Sequence, residues 1–251
     1  MNLSPPFRPA SPRLFLLSGG ATLLILAPHF CAGKPAQPRA VALDAQGKLV
    51  TQALTRALRK RVSSPGGRLK IVVTPTSRAG QGYFSEVSIA GAPSQIKKFR
   101  ISALDLRARK VRIDVEKLFS TGKIDTISSQ TTLRAVVTES DLTRLLAQGK
   151  RTRDMGLKVK YIGGGKMRIN GNLNYSLISG PISGVARLRL APGYKVLLDI
   201  LSLQLRGSEV PQFVKNQLSE RINPIINYQD LPFQPRFRGL TMQGSRATLY
   251  A

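Results

Sequence analysis

Four short constellations in the sequence have residue types that could carry chemistry. Residues 94–97 read SQIK, matching the Ser-x-x-Lys that opens the penicillin-binding arrangement, but the SDN and KTG partners occur nowhere else in the chain. Residues 163–166 read GGGK without the upstream glycine or the following Ser or Thr of a phosphate loop. A tight hairpin turn explains them better. Two carboxylate pairs remain, Asp114 with Glu116 and Glu139 with Asp141, and glycoside hydrolysis needs only two acids roughly 5–10 Å apart. The first pair falls on the solvent face of an expected strand. The second opens an expected helix, where negative charge is stabilising.

The only cysteine, Cys31, and the only histidine, His29, lie in the N-terminal segment. Beyond that segment the common metal-ligand sets, the Ser-His-Asp triad and cysteine nucleophiles are unavailable. No catalytic residue, metal or cofactor is therefore expected, and the chain reads as a binding module.

Residues 1–33 have the form of a signal peptide, with Arg8 and Arg13 before an apolar run at 14–27, then Pro28 and the small residues Ala32 and Gly33. An uncleaved anchor is the alternative, because a span needs roughly 17–25 apolar residues. Either reading makes the protein extracytoplasmic, in the periplasm or cell envelope, secreted or N-terminally anchored. Residues 34–42 form a Pro-containing linker, and 43–251 are expected to fold as a single domain.

The chain has 39 Lys and Arg against 13 Asp and Glu, a net charge of +26. Outside the cytoplasm the abundant polyanions are anionic headgroups, acidic glycans and wall polymer, so a membrane surface is an expected partner. Nucleic acid is not expected: nine Phe, six Tyr and no Trp offer few stacking surfaces, and the cations are scattered over alternate strand positions.

The elements that must position these residues follow from hydrophobic period. Residues 43–62 carry Leu49, Val50, Ala53, Leu54, Ala57, Leu58 and Val62 at helical spacing, with Arg56, Arg59, Lys60 and Arg61 in the last turns. Those cations suit a helix C-terminus and could equally meet a membrane. From residue 68 to 139 the period changes to two. The parity of the apolar residues slips twice between 97 and 115, which predicts bulges or breaks near 103 and 109. Thr138 is placed to cap a short helix whose apolar side is Leu142, Leu145 and Leu146. More alternating strands follow over 157–206, then a helix expected over 210–227 that Pro224 should kink or break, and a last strand over 240–250.

Three blocks resemble the LmeA-like phospholipid-binding proteins of bacterial cell envelopes: IKKFRISALDLRARKVRIDVEKLFSTGKI at 96–124, LRAVVTESDLTRLL at 133–146, and NPII at 223–226 followed by LPF. The similarity covers roughly residues 95–251, and the first helix fits more loosely. The resemblance implies an α+β, tubular lipid-binding-like fold, in which a curved, mostly antiparallel sheet wraps amphipathic helices and leaves space for acyl chains. It also implies a phospholipid or other anionic amphiphile as partner. On that basis the expected lipid lining is Leu142, Leu145 and Leu146 with Phe213, Val214, Leu218, Ile222 and Ile226 on the inner face of the last helix. Arg56, Arg59, Lys60 and Arg61 are the expected headgroup contacts. From residue pattern alone, each apolar position could equally be plain core. The same pattern leaves two other functions open, a structural envelope protein holding anionic polymer and a lipid-processing enzyme using carboxylates.

Overall fold

The computed structural model describes residues 44–150, 152–175, 178–192, 195–227, 229 and 231–251. The expected signal peptide and the expected linker both lie outside them. In chain order the elements are α1 (Ala45–Arg61), β1 (Val62–Ser63), β2 (Arg68–Pro75), β3 (Tyr83–Ala92), β4 (Ser94–Ile96), β5 (Phe99–Ile101), β6 (Ala103–Ile113), α2 (Val115–Thr121), β7 (Thr126–Thr138), α3 (Glu139–Gln148), β8 (Lys158–Gly163), β9 (Lys166–Tyr175), β10 (Ile178–Ala191), β11 (Lys195–Leu205), β12 (Ser208–Glu209), α4 (Gln212–Ile222), β13 (Ile226–Asn227), β14 (Gly239–Gln243) and β15 (Arg246–Tyr250).

The strands form two six-stranded antiparallel sheets and a small three-stranded one. The first has the order β14-β15-β7-β6-β3-β2, and the second β12-β11-β10-β9-β8 with β13 added on β11. The third is β1-β4-β5. The chain is thus α+β, with curved sheets that do not close into a barrel. Curvature has a local source in register shifts at Thr74/Pro75, between Arg109 and Ile113, and at Val185/Ala186, because an extra residue in one strand bends it.

Both parity slips read from the sequence are present. Strand pairing breaks at Ser102, between β5 and β6. The second slip is at Lys110, which takes φ +50 and carries the buried face from Leu104, Leu106 and Ala108 to Val111 and Ile113.

The single strand expected over 240–250 is instead a hairpin, β14 paired with β15 around Gly244 at φ +53, and two element boundaries also differ from expectation. The strand expected to reach Val115 stops at Ile113, because the Asp114 carboxylate accepts the Lys117 N–H at 2.9 Å and starts α2. Asp114 and Glu116 therefore sit on a helix N-terminus rather than a strand face. The last helix ends at Ile222 rather than 227, broken where Pro224 was expected to kink or break it: Asn223 is extended at φ −87, ψ 148, since a residue before proline is disfavoured in the helical region and Pro224 has no N–H to continue the ladder.

One buried cluster runs through the molecule, from Val50, Leu54 and Leu58 on α1, across the inner faces of β3, β6 and β7, to β9, β11 and α4. Leu54 and Leu58 are fully buried, each worth about 1.5–3 kcal/mol of removed apolar surface.

Candidate functional site

The site is built around α3, which is held from three sides. Thr138 and Asp141 form a capping box: the Thr138 side chain accepts the Asp141 N–H, and the Asp141 carboxylate accepts the Thr138 N–H at 3.0 Å and hydroxyl at 2.8 Å. The same carboxylate, 2% exposed, accepts the Ser102 hydroxyl at 2.6 Å and lies 3.6 Å from Arg100. The break at Ser102 thus serves to bind the helix start. Glu139 and Thr143 face outward to the second sheet and accept the main-chain N–H groups of Tyr161 at 2.6 Å and Val159 at 3.0 Å. They cap the free edge of β8, which would otherwise be open to pairing. Burial first, then the negative charges of Glu139 and Asp141, push the Tyr161 phenol above its ordinary value.

Opposite α3, the NPII motif fixes the second wall. The Asn223 side chain accepts the Leu198 N–H at 2.7 Å and donates to the Leu198 carbonyl at 3.0 Å. Two residues on, the Ile225 N–H donates to Val196 at 3.0 Å, and Ile226 pairs with Val196 in β13. Ile225 and Ile226 are in this way carried on the edge of β11 instead of on the helix.

Between these walls lies a groove. A cavity of about 290 Å³ is lined by Ile96, Phe99, Leu145, Ile225, Ile226 and Leu231, with Lys97 and Lys98 at its rim. It adjoins a second of about 220 Å³ that shares Leu145 and Ile225 and adds Lys150 and Arg221. The lysines sit at the two-residue tip of the β4–β5 hairpin, where Lys97 takes φ +54.

The structure divides the expected lipid lining. Leu145 and Ile226 line the groove, and Leu146 and Ile222 line its extension. Leu142, Val214 and Leu218 belong to the buried core, and the space enclosed beneath α4 by Leu157, Ile169, Leu203, Leu218 and Ile222 is only about 10 Å³, about one water probe. Phe213, expected on the inner face of the helix, is 55% exposed. Its neighbour Val214 takes the inward position. Sequence reasoning missed Ile96, Phe99, Lys97 and Lys98 as site residues. Their signal is a charged pair between two very short apolar runs.

Of the expected headgroup residues, Arg56, Arg59 and Lys60 line a shallow exposed depression on α1 with Thr51, Gln52 and Thr55. Arg61 is half-buried at the helix end. That helix packs on β2 and the turn at Ala79–Gln81, on different elements from the groove.

The other constellations resolve into structural roles. Ser94 is fully buried on β4, whereas Lys97 is exposed at the hairpin tip. Gly163, Gly164 and Gly165 all take positive φ in the β8–β9 turn, a conformation glycine adopts cheaply. Among the described residues no group of three or more His, Cys, Asp or Glu could hold a metal, and no helix is long and apolar enough to cross a membrane.

A family model described as LmeA-like phospholipid-binding matches residues 41–251, and the chain belongs to that family. The match takes in α1, which the sequence blocks had left at the margin. No curated protein and no solved structure matches.

Proposed function

We propose that this family member is an exported protein that holds phospholipid acyl chain in the groove between α3 and β13, with cations at the rim meeting an anionic headgroup. The observation that carries the proposal is the pairing of a mostly apolar cavity of about 290 Å³ with two adjacent lysines at its mouth. With its extension the groove falls in the size range of small-ligand sites, about 300–1,000 Å³. Each methylene it removes from water contributes about 0.8 kcal/mol. The two-residue turn, which needs a positive φ at its first position, sets Lys97 at the tip with φ +54. Arg56, Arg59 and Lys60 on α1 are then a second cationic contact, with the membrane surface from which lipid is taken.

Leu145→Trp tests this, because it fills the groove from a half-buried position outside the core. Native mass spectrometry of the freshly purified variant is expected to show the lipid of the wild-type protein lost, with an unchanged far-UV spectrum. Equal lipid content in a folded variant overturns the assignment.

One observation favours a second reading. The core beneath α4 is closed, and the α1 cations are exposed, as expected of a filled envelope protein that holds anionic polymer by charge alone. High salt separates the two: exposed charge is screened over about 3 Å at 1 M, so polymer is released, whereas chains in the groove are retained.

A further inference from the structure

The first sheet carries a second recess, unlike the groove in every chemical respect. β15 pairs with β7 over Arg134–Thr138, and Ala251 continues to Leu133 through bonds of 3.0 and 3.3 Å. Beyond Leu133 along β7 lie Ser129, Gln130, Thr131 and Thr132. The segment after Leu231 crosses at that point. It is tied at one end by the Thr131 hydroxyl donating to the Phe233 carbonyl at 3.3 Å and at the other by the Arg238 N–H donating to Tyr250 at 2.8 Å. Phe233 and Gln234, both non-glycine, take φ +57 and +41, an uncommon pair of left-handed residues that turns the chain over the sheet.

The result is a cavity of about 800 Å³ with Arg107 and Arg109 on the outer face of β6, Arg236 and Arg238 on the crossing segment, and the hydroxyl and amide side chains of β7 between them. Asp105 is the one carboxylate side chain in the lining, 3.4 Å from Arg107. Arg107 lies 3.4 Å from Asp105 and Arg109 3.4 Å from Glu86, both exposed pairs that an incoming anion can displace. Four arginines lining one cavity with hydroxyl and amide side chains suit a phosphate with a hydroxyl-rich partner, since guanidinium binds phosphate through two parallel bonds and neutral polar groups satisfy hydroxyls.

We propose that this recess binds a phosphorylated polyol, supplied either as the headgroup of a phospholipid or as a water-soluble polyol phosphate. It stands apart from the acyl-chain groove in its lining yet is joined to it by the chain. Leu231 lines the groove and Phe233 lines the recess, and two residues span no more than about 7 Å. The recess binds its ligand whether or not the groove holds a tail.

The test uses the full chain and probes that need no groove. Glycerol 3-phosphate and glycerol are titrated calorimetrically, and flotation is measured with vesicles of phosphatidylglycerol in phosphatidylcholine and of phosphatidylcholine alone. The wild-type protein is compared with R107Q/R238Q and with R107K/R238K, all exposed positions. Glycerol 3-phosphate binding that weakens at least tenfold in the Gln pair and several-fold in the Lys pair assigns a soluble ligand. Phosphatidylglycerol-dependent flotation lost in the Gln pair, with no binding of the soluble phosphate, assigns a headgroup. Glycerol binding as tightly as its phosphate overturns the proposal. So does the absence of binding to both phosphate probes, or binding unchanged in folded variants. Loss of the groove through Leu145→Trp leaves the soluble titration intact, so failure of one site is distinguishable from failure of the other.

Discussion

Asn223 holds Leu198 by both main-chain groups, accepting its N–H at 2.7 Å and donating to its carbonyl at 3.0 Å. One side-chain amide thereby does the work of a neighbouring strand, and it does so at the residue where α4 must stop. The groove wall depends on this pair, because Ile225 and Ile226 follow it directly. Asn223→Ala removes both bonds and leaves two half-buried main-chain groups without their partner. The expected cost is about 2–4 kcal/mol, read as a lower urea midpoint at constant slope, together with loss of bound lipid. Asn223→Asp keeps the acceptor and loses the donor, and is expected to fall between the two.

Asp141 is the residue on which α3 turns. Its carboxylate receives Ser102, the Thr138 N–H and the Thr138 hydroxyl while facing Arg100. Asp141→Ala leaves the Ser102 hydroxyl and the Thr138 N–H and hydroxyl without this acceptor, and each such bond to a charged group contributes about 1.5–3 kcal/mol. Glu116→Ala, on the exposed first turn of α2, is expected to cost about 0.5 kcal/mol or less. Thermal unfolding of the two variants checks the contrast. Similar melting temperatures would show that the network around Asp141 is not what fixes α3.

The contrast between these residues explains how much was legible in the sequence. The capping of α3 was legible because Thr138, Glu139 and Asp141 act within three residues of one another, and the parity slips, expected near 103 and 109 and found at 102 and 110, were legible because a sheet face is a strict period-two record. The start of α2 was not, since Val111, Ile113 and Val115 continue the alternation past the cap that ends it. Ile226 was placed on a helix for want of its long-range partner: β13 exists only because Asn223 and Ile225 reach β11, about which local pattern is silent. The arginine recess was hidden for the same reason, with Thr131 and Phe233 separated by 102 residues.

Neighbouring residues on α4 test the helix orientation. Leu218 is 4% exposed and Phe213 is 55% exposed. Leu218→Ala opens space in a core that has almost none beneath α4, and is expected to cost about 2–5 kcal/mol. Phe213→Ala is expected to stay within about 0.5 kcal/mol. Chemical denaturation measures both. A large loss at Phe213 would mean that its ring is covered by something beyond the described residues.

Tyr161 sets the alkaline limit of the second sheet edge. Its hydroxyl donates to the Val137 carbonyl at 3.3 Å, and burial, Glu139 and Asp141 raise its pKa above the ordinary 10.0. Below pH 10.0 both folded and unfolded chains keep the proton and the stability is whole. Above it the unfolded chain releases the proton first, so stability falls as pH rises from 10.0 toward the raised folded value. Lys117, raised chiefly by its hydrogen bond to Asp125, weakens the fold in the same direction above its ordinary 10.5. Tyr161→Phe removes only the tyrosine contribution. It is expected to lower stability by about 0.5–1.5 kcal/mol at neutral pH through the lost hydrogen bond, and to lose less than the wild type between pH 10 and 11.5. Urea midpoints across that range measure the difference, and parallel curves for the two proteins would show that Tyr161 ionises as freely folded as unfolded.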